Sequence, residues 1–92
     1  MNLTLFVPLY NEEKRPKVGE YISSISQIQG LTLVLVNDGS SDDTLSMLEL
    51  FKGPNIKIVD FPTNQGKGEA LRKAMREHLL QNEVEIIGYL DC

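Results

Sequence analysis

The chain has 92 residues, 41 % of them hydrophobic and 24 % charged, with a formal net charge of −4 at pH 7. That length suits one small domain over residues 1–92, and folding at this size buries roughly 60–70 % of the surface an unfolded chain exposes. The acidic balance excludes nucleic-acid binding as the main role, because that needs cations to displace counterions from phosphates.

Taken in order, the opening MNLTLFVPLY has no basic leader and only a short apolar run, broken by Pro8, which is unlike a signal peptide. Residues 3–7 read as a strand, followed by PLYNEE. A helix comes next, with Val18, Tyr21, Ile22, Ile25 and Ile28 on one stripe and Pro16 near its start. Residues 31–36, LTLVLV, form a near-continuous apolar strand. NDGSSDD follows, where Ser40 or Ser41 caps a second helix and Asp42 and Asp43 oppose its positive end. Leu45, Leu48 and Phe51, with Met47, give that helix its buried side, and GPN at 53–55 breaks it. A third strand spans 56–61, and NQGKGE then opens a helix carrying Ala70, Leu71, Ala74, Met75, His78 and Leu79 on its stripe. The last strand, 85–90, delivers Asp91 and Cys92.

The order is βαβαβαβ, which predicts an α/β, Rossmann-like, three-layer unit on a four-stranded parallel sheet with right-handed crossovers. No segment approaches the roughly 18 apolar residues of a membrane span. The single cysteine cannot form an internal disulfide, which suits a reducing compartment and a cytoplasmic address.

In an open parallel sheet, ligands bind beyond the carboxyl ends of the strands. The segments after the strands are PLYNEE, NDGSSDD, PTNQGKGE and DC, whereas those before the strands, QGL, GPN and QNEV, carry far less polar chemistry. This asymmetry predicts a polar ligand on one edge. Taken alone, Pro8 can equally end a strand and Glu12–Glu13 open a helix. Gly39 and the serines make a turn and a cap whatever the function. Asp38 is different, because it comes straight off a buried strand, and a ligand role is favoured for it. Two glycines around Lys67 let backbone approach a ligand, or simply satisfy a positive-φ turn. The spacing fits neither a P-loop nor a G-x-G-x-x-G fingerprint. His78 lies on an apolar stripe and reads as a packed side chain, and Cys92 reads as inert. There is no nucleophilic triad and no ligand set of zinc spacing.

Together, VPLYNEE, VNDGSSDDT, NQGKGEALRKAM and GYLDC resemble the nucleotide-binding, N-terminal half of family-2 glycosyltransferases of the GT-A fold. Locally the chain is similar to the polyprenyl- or dolichyl-phosphate mannose and glucose synthase branch. The resemblance implies strand order 3-2-1-4 and a nucleotide-diphosphate sugar, UDP- or GDP-linked, held by the four loops. It implies that Pro8, Leu9, Tyr10 and Glu12 line the nucleoside, with Glu12 near the ribose hydroxyls. Asp38 would accept a hydrogen bond from a base N–H, and Lys67 and Gly68 would close over the base. Asp91 matches the first carboxylate of the D-x-D motif, which serves the ribose and a bound Mg²⁺ or Mn²⁺ ion. The second carboxylate, the acceptor-binding half and the general base of an inverting transfer all fall beyond Cys92. These 92 residues are therefore expected to be a truncated, donor-binding fragment with no catalytic residues, inactive alone, whose strand 85–90 is an apolar edge prone to dimerisation or strand exchange.

Two other classes remain open. A non-catalytic α/β nucleotide-binding module would keep Asp38 important. A purely structural role would leave the one-sided polar loops unexplained. A receiver-type signalling domain is disfavoured, since its acidic residues should follow the first strand and its phosphate-accepting Asp the third, whereas Asp60 lies inside the third.

Overall fold

Strand β1 (Leu3–Leu9) is the first of four parallel strands in the computed structural model, which describes residues 3–10, 17–40, 43–81 and 86–89. The chain continues through α1 (Lys17–Ser26), β2 (Leu31–Asp38), α2 (Thr44–Glu49), β3 (Ile56–Phe61), α3 (Lys67–Gln81) and β4 (Ile86–Tyr89). The sheet order is β3-β2-β1-β4, all pairs parallel, as the resemblance implies.

Side chains alternate between two cores. Val7, Leu9, Leu33 and Leu35 point to one face, where Ile22 of α1 and Leu48 of α2 cover them. Phe6, Val34 and Val36 point to the other, under Ala70, Leu71 and Ala74 of α3. Each of these side chains is at most 8 % exposed, and burying a large apolar side chain contributes about 1.5–3 kcal/mol. Both faces of β2 are thus covered, which explains its unbroken apolar sequence.

The first strand runs on to Leu9, two residues further than its apolar pattern suggests. Pro8 should weaken a central strand, because it has no N–H to donate. Leu3 N–H donates to the Gly30 carbonyl before β2 at 3.1 Å, so the odd residues of β1 aim their backbone groups at β2 and the even ones at β4. Among the described residues β4 pairs with Leu3–Phe6. The missing N–H of Pro8 falls on the β4 side of the strand, and the β1–β2 ladder stays intact through Leu9↔Asn37. β2 likewise extends beyond 36 to Asn37 and Asp38, each 3 % exposed.

The helix stripes are narrower than their sequence suggests. Tyr21 is 37 % exposed, and Ile28 is 55 % exposed because α1 stops at Ser26, where the Ser26 hydroxyl donates to the Ser23 carbonyl and Ile28 N–H closes a turn on the Ile25 carbonyl. The side chain of Val18 lies outside the described residues. Leu79 is 52 % exposed, so the buried face of α3 fades beyond Ala74. At α2 the Ser40 hydroxyl donates to Asn37 Oδ1. Asp43 holds the cap position without a side-chain capping bond, while Ser41 and Asp42 lie outside the described residues.

His78 is a packing residue, its ring edge-on to Phe6 at 5.5 Å and 86°. Burial, then the charge of Lys57, lowers its pKa below the ordinary histidine value. A base whose folded pKa is depressed binds protons more readily when unfolded, so stability falls as pH drops through about 6.5 and levels off below the folded pKa. Melting curves between about pH 7.5 and 5 should show this loss, and His78→Gln should make it shallower. An identical slope in the variant would remove His78 as its source.

Candidate functional site

Between β1 and β4 the direction in which strands are added reverses, since α1 and α2 lie on one face and α3 on the other. The topological switch point thus lies between the carboxyl ends of β1 and β4, and the carboxyl edge it belongs to, where open α/β sheets bind ligands, runs on over β2. Pro8 pairs with Val36 and Leu9 with Asn37, which sets Pro8, Leu9 and Tyr10 beside Asp38 on that edge. The Leu9 side chain is committed to the core under α1 and α2, so only its backbone faces the edge. Tyr10 is 46 % exposed and accessible to a ligand.

Asp38 organises the site. Its Oδ1 accepts the Gln65 backbone N–H at 2.8 Å. The Asn64 side-chain amide donates to its Oδ2 at 3.3 Å and to its backbone carbonyl at 3.1 Å. A buried carboxylate is tolerated only when such donors replace water, and these leave lone pairs for a further donor. Gly39 completes the fit. Its φ is +64°, and a Cβ there would stand 2.2 Å from both the Thr63 carbonyl carbon and the Asn64 nitrogen. The loop from β3 to α3 is thus seated directly on Gly39 and tied down by Asp38.

Next to Asp38, Asn37 donates its side-chain amide to Asp60 Oδ1 at 2.8 Å, pinning the end of β2 to β3. The loop then turns at Gly66, with φ +91°, whose carbonyl accepts the Ala70 N–H at 2.9 Å and starts α3. Lys67 and Gly68 are the first two residues of that helix, not of the loop before it. Both are exposed, and a Cβ at Gly68 would meet nothing within 4 Å. The positive end of a helix and open space beside its first turn suit an anionic ligand.

Glu12 and Asp91 lie outside the described residues. Among the described residues no group of three His, Cys, Asp or Glu side chains could hold a metal ion; these residues alone do not form a metal site. A cleft of about 150 Å³ lined by Val34, Lys57, Val59, Ala74, Glu77 and His78 lies lower on β2, beneath the second half of α3, away from this edge.

Asn37, Asn64 and Gln65 are the site residues that sequence reasoning missed. Their position after strands was visible, but their partners sit 23 to 27 residues away along the chain, and no local pattern signals such pairing.

The model of a known family, glycosyl transferase family 2, matches residues 4–92. The chain belongs to that family. Among its family-2 relatives, it is 40 % identical over 80 residues to a dolichyl-phosphate beta-glucosyltransferase of Trichomonas vaginalis, a match covering 76 % of this chain and 25 % of that protein. It is 30 % identical over 78 residues to a poly-beta-1,6-N-acetyl-D-glucosamine synthase of Staphylococcus epidermidis, covering 82 % of this chain and 18 % of that one. S. aureus TarS 1-349 in complex with UDP has the same fold, with a TM-score of 0.79 and 29 % identity over 99 % of this chain and 27 % of TarS 1-349. The chain spans about a quarter or less of the length of these proteins. Among the described residues no helix is long and apolar enough to cross a membrane.

Proposed function

We propose that residues 1–92 are one unit that binds the nucleotide-diphosphate sugar donor of an inverting family-2 glycosyltransferase. The observation that carries this reading is the buried Asp38 on the carboxyl edge of the sheet, clamped to the loop that opens α3, in a chain whose fold is shared by a UDP-bound protein. Pro8 and Tyr10, with the Leu9 backbone, form one wall for the nucleoside, and Asp38 accepts an N–H of the base. Lys67 and Gly68 face the ligand from the start of α3. Glu12 and Asp91 are assigned to the ribose, and Asp91 also to a Mg²⁺ or Mn²⁺ ion. Such a cation neutralises the leaving diphosphate when bound. What the described residues do is bind and orient the donor. Titrating the chain with UDP and GDP tests the reading: shifts at Pro8–Tyr10, Glu12, Asp38, Asn64–Gly68 and Asp91 support it, and shifts elsewhere contradict it. A cytoplasmic address belongs to the same proposal.

The chain is proposed to transfer no sugar by itself, on the ground that it spans so little of its relatives. Transfer by the purified chain would refute this. A non-catalytic nucleotide-binding module would use the same Asp38 clamp.

The sheet edges point to self-association. On β3 the charged side chains of Lys57 and Asp60 are exposed, which discourages strand pairing. β4 offers IIGY, without a charge, and Tyr89 is 58 % exposed. Dimerisation or strand exchange through 85–90 is therefore expected at high concentration by light scattering. A mass that stays monomeric would contradict it.

A further inference from the structure

Gln65 carries an unanswered hydrogen-bonding group. Among the described residues its Oε1 is the buried side-chain atom that has no hydrogen-bond partner. The residue is not loosely placed. Its own N–H is fixed on Asp38 Oδ1 at 2.8 Å, the residue before it is tied to Asp38 at two points, and that segment rests on Gly39 with no room for a Cβ. Leaving a buried polar atom unpaired destabilises the fold, so a fold that keeps one rigidly beside a binding edge gains from it when a donor arrives.

We infer that Gln65 is a specificity-determining residue that accepts a hydrogen bond from an N–H on the pairing edge of the donor's nucleobase. The inference rests on the reading of this edge as a nucleotide site. Asp38, the neighbouring acceptor, is already answered by two protein donors. Gln65 Oε1 has no protein donor, so turning it toward a ligand breaks no hydrogen bond of that oxygen. Guanine offers an N–H and an adjacent amino group, enough for Asp38 and Gln65 together, whereas uracil offers one N–H that answers only one of the two.

The test is Gln65→Met, which keeps length and removes the acceptor, read by two measurements on the whole chain. Binding of UDP and of GDP is followed by titration, and the melting temperature of the free chain is measured alongside. A ligand-reading acceptor predicts about a tenfold weaker Kd for the preferred nucleotide, one hydrogen bond's worth, and a free chain that melts no lower than wild type. The nucleotide with the larger loss identifies the base that is read. An unchanged Kd overturns the inference. So does a lower melting temperature, which would mean that the oxygen serves the free fold through an ordered water. Wild-type chain that binds neither nucleotide overturns the reading of the site itself, and this inference with it.

Discussion

Gly39→Ala should destabilise the chain by about 3 kcal/mol or more, lowering the melting temperature by about 12 °C or more for a domain of this size. Two effects add at this position. The φ of +64° is a left-handed conformation that costs a residue with a side chain about 1–2 kcal/mol. The new Cβ would also overlap the Thr63–Asn64 backbone at 2.2 Å, and backbone cannot swing aside as a flexible side chain can. The loop must lift, which breaks the bonds from Gln65 N–H and the Asn64 amide to Asp38. Nucleotide binding should be lost together with stability. Gly68→Ala is the internal control: it has open space and ordinary φ, lies in the first turn of α3, and should be neutral or slightly stabilising. Thermal melts of the two variants side by side decide the matter. Equal behaviour would mean that the loop is not seated on Gly39.

Asp38→Ala should be the second most damaging change. It strands the buried Gln65 N–H and takes one of two acceptors from the Asn64 amide. Hydrogen bonds to a charged group are worth about 1.5–3 kcal/mol each, and a stranded buried donor costs a similar amount. A loss of about 3 kcal/mol is expected for the free chain. If Asp38 also accepts the base N–H, the Kd for nucleotide should rise about thirtyfold or more, the effect of removing about 2 kcal/mol. Asp38→Asn separates the two roles. It keeps an oxygen for the Gln65 N–H but turns an amide toward the Asn64 amide, donor against donor, so it should lose less stability than the alanine variant. Denaturant melts with paired titrations measure both. Full stability in Asp38→Ala would remove the clamp.

The strands were legible because the physics behind them is local, whereas their order in the sheet came from the family resemblance. LTLVLV reads as a doubly covered strand, and the alternation of strand and helix implies a parallel sheet. The edge that carries the site was legible for the same reason, since every strand ends in polar residues there. The extension of β1 through Pro8 was not, because it depends on which neighbouring strand the Pro8 backbone faces. The exposure of Ile28 depends on α1 ending at Ser26, and a helical stripe drawn on paper does not stop where hydroxyl and turn bonds stop the helix. Asp38 stood out in the sequence, but its clamp on Asn64 and Gln65 is a contact across 26 and 27 residues. Only the folded register brings those groups together.

The central claim is that the carboxyl edge of this sheet binds the nucleotide of a sugar donor. The most direct measurement is an NMR titration of the chain with UDP and with GDP, with and without Mg²⁺, beside Asp38→Ala. The expected result is a set of shifts confined to Pro8–Tyr10, Glu12, Asp38, Asn64–Gly68 and Asp91, absent from the variant. Shifts spread over the cleft near His78, or none at millimolar nucleotide, would contradict it.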